Sequence, residues 1–306
     1  MEIHKGYEGN LLNAIQNNDI NRVKSIIGQL QKKNKILELN KRNGYGSYYL
    51  LYASNINNIN IAKLLIEYAN NNNIVLDINK NDKNIDSYPL LEAISNNNIE
   101  MVKLFFEYSD KHNINLELNE KNKYGVYPLL YAIEKYGNVE IIKLLMEYAN
   151  NKNVILELNE KDKNGYYPLL EATFKNNIEI VKLLIEYAND HNIILKVNEK
   201  SNIGNYPLLL TINNNNAEIV QLLMEYANSK DNLILNINEK NKNNECPLSQ
   251  VIINNNIDIM KLLIEYAKNH NFIMKLNKKD IKKYSHKSSN IIELLQYYEN
   301  DKTKVK

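Results

Sequence analysis

One cysteine, five prolines and nine glycines in 306 residues put several kinds of protein out of reach. Cys246 has no second cysteine to pair with, so no internal disulfide forms and a reducing compartment is expected. The glycines lie chiefly in turns and nowhere form a phosphate-cradling loop. Neither sign of charge dominates. The 38 Lys and Arg against 36 Asp and Glu give a formal net +2, without the dense basic stripe that a phosphate backbone requires, so nucleic acid is not an expected partner. The N-terminal stretch has no apolar signal core, and no segment supplies the ~18 uninterrupted apolar residues of a membrane span. The Asn-x-Ser/Thr acceptor never occurs, although asparagine is abundant. These absences predict a soluble intracellular chain, cytoplasmic rather than nuclear, with no membrane partner.

What is present is repetition. Pro89, Pro128, Pro168, Pro207 and Pro247 follow one another at 39, 40, 39 and 40 residues, and Tyr49 and Asn10 continue the register upstream. A second marker keeps the same period. The segment LxLN, or a near variant, ends at Asn40, Asn79, Asn119, Asn159, Asn198, Asn238 and Asn277.

Each repeat reads as a short helix, a turn, a longer helix and a loop. In YPLLEAISNN, Pro89 suits the first helical position, where its missing N–H is no loss, and the asparagines end the helix after about two turns. In IEIVKLLIEYAN, the residues Ile180, Val181, Leu184, Tyr187 and Ala188 recur at three and four, one stripe of a second helix, with Lys182 and Glu186 placed to pair across one turn. Neither helix buries its apolar face alone, so repeats must stack on their neighbours. The expected fold is an all-α solenoid of about seven helix-turn-helix repeats with hairpin-like loops, an array over 1–277 whose repeats start near 1, 41, 80, 120, 160, 199 and 239. Residues 278–306 form a capping helix and polar tail in this reading. The lysines Lys278, Lys279, Lys282 and Lys283 are read as a solvated part of that cap, with a nuclear address as the alternative.

DKNGYYPL (Asp162 to Leu169), Ala172, IEIVKLL (Ile178 to Leu184) and ELN (Glu157 to Asn159) resemble the ankyrin repeat, and the resemblance runs from about residue 8 to 277. Two departures stand out. About seven extra positions lengthen the second helix and the loop after it, with tyrosines at 68, 108, 148, 187, 226 and 266 as anchors. The family's Thr slot holds Tyr48, Tyr88, Tyr127, Tyr167 and Tyr206, and its His slot holds Leu51, Leu91, Leu130, Leu170 and Leu209. Both polar partners are exchanged together, which converts a hydrogen-bonded pair into packing. In the seventh repeat Cys246 and Ser249 stand there instead.

No convergent acid, base or nucleophile emerges, so no enzyme, cofactor or metal is expected. His112, His191 and His270 lie in alternate repeats, too far apart to share a metal, and read as solvated loop residues. The glutamates 67, 107, 147, 186, 225 and 265 read as an exposed helical face. The asparagine runs sit where first helices end and suit left-handed geometry.

The resemblance implies a non-catalytic scaffold or adaptor, acting as a monomer, that binds another protein on its concave, hairpin-tip face. Slots that vary between repeats then carry the information. Tyr45, Ile85, Tyr124 and Ile203 at the tips, Val126 and Tyr166 two positions on, and Phe174 on a first helix are the candidate partner-binding residues. Tyr136 and Gly137 add a one-residue bulge in the fourth repeat. Two other functions stay open: a small-molecule or nucleotide-binding array, with Lys175 beside Phe174 as its one hint, or a targeting fragment of a larger enzyme or ubiquitin-ligase subunit.

Overall fold

The computed structural model describes residues 2–42, 47–81, 86–274 and 290–296. No β-strand occurs among them, and the helices follow the expected short-long alternation. The chain divides into two compact units, Met1–Leu156 and Glu157–Lys306.

The N-terminal unit holds α1 (Glu2–Gln16), α2 (Ile20–Lys32), α3 (Tyr49–Asn55), α4 (Ile59–Asn71), α5 (Pro89–Ser95), α6 (Ile99–Lys111), α7 (Pro128–Lys135) and α8 (Val139–Asn151). First helices stack as α1, α3, α5 and α7, and second helices as α2 on α4 and α6 on α8. The first repeat departs from the others. It has no proline to start its helix, and α1 begins well before Asn10.

The C-terminal unit holds α9 (Pro168–Phe174), α10 (Ile178–Asp190), α11 (Pro207–Asn213), α12 (Ala217–Asn228), α13 (Pro247–Asn254), α14 (Ile257–Asn269) and α15 over residues 290–296. Here α9, α11 and α13 form one layer and α10, α12 and α14 the other. The helix α15 buries Ile291, Ile292 and Leu295. The basic cluster Lys278, Lys279, Lys282 and Lys283 and the polar tail lie outside the described residues.

The cores follow from the sequence stripes. On α10 the buried residues are Ile180, Val181, Leu184, Tyr187 and Ala188, the five that share one helical face. Each fully buried Leu or Ile contributes about 1.5–3 kcal/mol. Pro takes the first turn of α5, α7, α9, α11 and α13. Lys182 does not pair within its helix; its Nζ lies 2.7 Å from Glu218 of the next repeat, which the stacking brings nearer than Glu186.

Asparagine joins the repeats. Asn18, Asn57, Asn97, Asn176, Asn215 and Asn255 all take φ between 52° and 58°, the left-handed region that turns the chain after each first helix. The next residue, an asparagine except for Asp19 in the first repeat, caps the second helix. In the N-terminal unit, Oδ1 of Asn58 accepts from Ile61 N and that of Asn98 from Met101 N, while their Nδ2 groups donate to Oδ1 of Asn18 and Asn57 one repeat earlier. In the C-terminal unit Asn216 and Asn256 bond in the same way to Asn176 and Asn215.

The extended LxLN segments satisfy their backbone without a sheet. Ile193 O accepts from Tyr226 Oη, which accepts in turn from Leu195 N. Asn159 donates to Ile194 O and accepts from Lys196 N, and Tyr167 Oη donates to Lys196 O. In the N-terminal unit Tyr148, Asn79 and Tyr88 hold residues 114–117 likewise. Side chains of adjacent repeats thus replace strand partners, as buried backbone groups demand.

Candidate functional site

Among the described residues, one side chain organises each hairpin tip from the fourth repeat onward. In the N-terminal unit Asn122 Oδ1 accepts from Tyr124 N and Val126 N, and Asn122 N donates to Val126 O. Gly125, at φ +81°, provides the turn. Lys123 N donates to Asp86 Oδ2 of the preceding tip. In the C-terminal unit Asp162, Ser201 and Asn241 occupy the Asn122 position, closed by Gly165, Gly204 and Asn244, all at positive φ. Tips also stack: Asn164 O accepts from Asn202 N, and Ile203 O from Lys242 N.

On this frame the predicted residues separate. Tyr124 is 59% exposed, with Lys123 Nζ 5.2 Å from its ring centroid. Val126 is buried and faces the interior of its hairpin, so it offers a partner little area. In the C-terminal unit the structure brings Tyr166 and Phe174 together, edge to face at 5.8 Å, one from the tip and one from the end of α9. Phe174 is half exposed, and Ile203 stands exposed on the next tip. Tyr45 and Ile85 lie outside the described residues.

The electrostatics of this patch are modest. Burial, then the nearby Glu171 carboxylate, pushes the Tyr166 hydroxyl above its ordinary range, so it stays protonated near neutrality. Lys175 Nζ lies 6.0 Å from the Phe174 centroid and 3.7 Å from the buried Glu171 carboxylate, which offsets its charge.

Several sequence readings change. The Thr-slot tyrosines are fully buried, as packing residues should be, but they also hydrogen-bond: Tyr48 to Lys80 O, Tyr88 to Glu117 O, Tyr167 to Lys196 O and Tyr206 to Glu239 O. The aromatic ring carries the hydroxyl past its own hairpin to the next repeat. Burial raises the Tyr88 and Tyr167 hydroxyls well above their usual range. Cys246 and Ser249 do more than fill space, since Cys246 N donates to Ser249 Oγ at the start of α13. The histidines are helix C-caps, not free loop residues. His112, His191 and His270 lie tilted against Tyr108, Tyr187 and Tyr266, with ring centroids 4.1–4.2 Å apart.

Sequence reasoning missed an apolar edge. Ile36, Val75 and Ile155 in the N-terminal unit, and Ile194, Ile234 and Ile273 in the C-terminal unit, point outward from the LxLN segments. The signal was available in the alternation of those segments, where buried Leu76 and Ile78 bracket Asp77 and leave Val75 outside. Among the described residues no three His, Cys, Asp or Glu converge as a metal site, and no helix is long and apolar enough to cross a membrane.

Paired short and long helices joined by hairpin tips, repeated along the chain, define a helical repeat protein. A family model described as ankyrin repeats (three copies) matches residues 11–117, 73–156, 112–195 and 153–233. The chain belongs to the ankyrin repeat family. It is similar in fold to the ankyrin repeat domain of Bcl-3, described as a unique member of the IkappaB protein family, with 17% identity and a TM-score of 0.54 over 83% of this chain and 97% of that one. No curated protein matches.

Proposed function

We propose that the protein is a non-catalytic scaffold or adaptor that binds another protein on its hairpin-tip and first-helix face. Ankyrin repeats are generally protein-interaction modules, and the family supports that much for this chain. The observation that carries the finer reading is the Tyr166 and Phe174 pair. Two aromatic rings from different elements are held edge to face with Phe174 half exposed, and nothing in repeat stacking requires an aromatic at either slot. Ile203 in the same unit, and Tyr124 in the N-terminal unit, supply further exposed apolar area on tips whose backbones are fixed. The small-molecule alternative loses its one hint, because Lys175 is already within 3.7 Å of Glu171.

The test is affinity capture from lysate, comparing the intact chain with a Tyr124→Ser, Tyr166→Ser, Phe174→Ser variant of unchanged circular dichroism. A protein held by the first and lost by the second supports the reading. Equal capture by both overturns the proposed face.

A further inference from the structure

The N-terminal unit has a second surface, on the LxLN edge rather than at the hairpin tips. Stacking explains the inward residues Leu37, Leu39, Leu76 and Ile78, which are buried. It does not explain Ile36 and Val75, at 56% and 54% exposed, which recur at one slot facing outward. Two positions along, on the same outward side, come Glu38, Asp77 and Glu117. In the first two repeats the edge therefore pairs an exposed aliphatic group with a carboxylate, and in the third Asn115 takes the aliphatic slot beside Glu117. In the C-terminal unit the same slot holds Glu157, then Lys196 and Asn236, so the acidic run ends after the fourth LxLN segment.

Between the second and third LxLN segments this edge opens into a groove of about 590 Å³ lined by Val75, Asp77, Ile114, Glu117 and Glu120, among others. Lys80 pairs with Asp77 at 2.7 Å. No cation among the described residues lies in ion-pair contact with Glu117 or Glu120.

We propose that this edge docks a basic amphipathic helix of another protein, laid across the repeats with aliphatic side chains against Ile36 and Val75 and Lys or Arg against Glu117 and Glu120. Charge complementarity selects the cation, and the repeat spacing selects the helix. Packed helices lie about 8–10 Å apart, and seven helical residues rise about 10.5 Å while returning to the same face. An extended peptide covers that distance in about three residues, an odd number that turns alternate side chains away. A helix seated in an apolar groove is a recurrent mode of recognition. This surface is independent of the Tyr166 and Phe174 patch.

The experiment uses the full chain and a labelled three-heptad peptide with leucine at every seventh position and lysine beside it. Binding is followed by fluorescence anisotropy at physiological ionic strength. Saturable binding is expected, weakened at least about tenfold by Glu117→Gln with Glu120→Gln, and separately by Val75→Asn. Tyr124→Ser should leave it unchanged. Melting curves check that each variant is folded, and Val75→Asn alters an exposed side chain outside the core. Absence of binding, binding as tight as wild type by either groove variant, or equal binding of a peptide with alanine for each leucine overturns the proposal. So does self-association of the unliganded chain that Val75→Asn abolishes in sedimentation, because a second copy would then be the occupant.

Discussion

Nδ2 of Asn98 donates to Oδ1 of Asn57 one repeat earlier at 2.6 Å, while Oδ1 of Asn98 accepts from Met101 N at 2.9 Å. One carboxamide caps its own helix and fastens it to the preceding repeat. Serine and aspartate are good N-caps, but only asparagine also has an N–H to donate in this way. The recurrence of this asparagine is therefore a stacking requirement.

Asn98→Ser should keep the cap and lose the inter-repeat bond, whereas Asn98→Ala should lose both. Urea denaturation is expected to order the stabilities as wild type, Ser, Ala, with a total loss of about 1–2 kcal/mol for Ala. Equal midpoints for Ser and wild type would show that the bond between Asn98 and Asn57 adds nothing.

Tyr167 Oη donates to Lys196 O and Glu199 O at 2.5 and 3.1 Å. Tyr167→Phe keeps the ring and strands those carbonyls, a loss of about 1–2 kcal/mol. Tyr167→Thr opens a cavity and should lose about 3 kcal/mol or more. Adding Leu170→His, which restores the family's pair, should recover part of that loss. A double-mutant cycle with no favourable coupling would refute the idea that the two slots changed together.

Gly165 sits at φ +82°, and a Cβ there would lie 2.9 Å from Asn202 N, which donates to Asn164 O in the stacked tip. Gly165→Ala should destabilise by about 2 kcal/mol through backbone strain and loss of tip stacking. Gly28→Ala, with open space around its Cβ on helix α2, should instead be neutral or stabilising. Thermal melts of the two variants check both signs.

Lys161 Nζ lies 2.6 Å from Glu199 Oε2, and this hydrogen bond is the main cause that holds the Glu199 carboxyl below its usual range. A depressed folded pKa stabilises above the unfolded value and is lost as pH falls through the folded one. Lys161→Met should therefore lower stability at neutral pH by a few tenths of a kcal/mol, as a mostly exposed pair allows, with the Glu199 part of the difference vanishing in acid and only the bond from Nζ to Lys200 O remaining. Urea midpoints at both pH values check it. A difference of the same size at both pH values would show that the Glu199 pair contributes nothing.

The helices were legible because periodicity 3.6, proline at the first turn and asparagine at the breaks are local signals, and the α10 stripe was read residue by residue. The Tyr167 packing role was legible from the paired exchange with Leu170. Its hydrogen bonds were not, since the acceptor Lys196 O lies 29 residues away in sequence. The same limit hid the pairing of Lys182 with Glu218, 36 residues on, behind the local alternative Glu186. Val126 looked like a tip residue by position, yet the Asn122 turn directs it inward.

By itself the sequence determined the period, the two helices of each repeat, the buried stripes and membership of a family that recognises proteins, because each rests on neighbours within one or two turns. Only the tertiary structure decided which side chains of successive repeats meet. The contact of Tyr166 with Phe174 comes from the folding of one hairpin tip onto its own first helix, while the ladder from Asn57 to Asn98 and the groove between Val75 and Glu117 arise from stacking, where small rotations of packed elements choose among partners that local chemistry leaves equivalent.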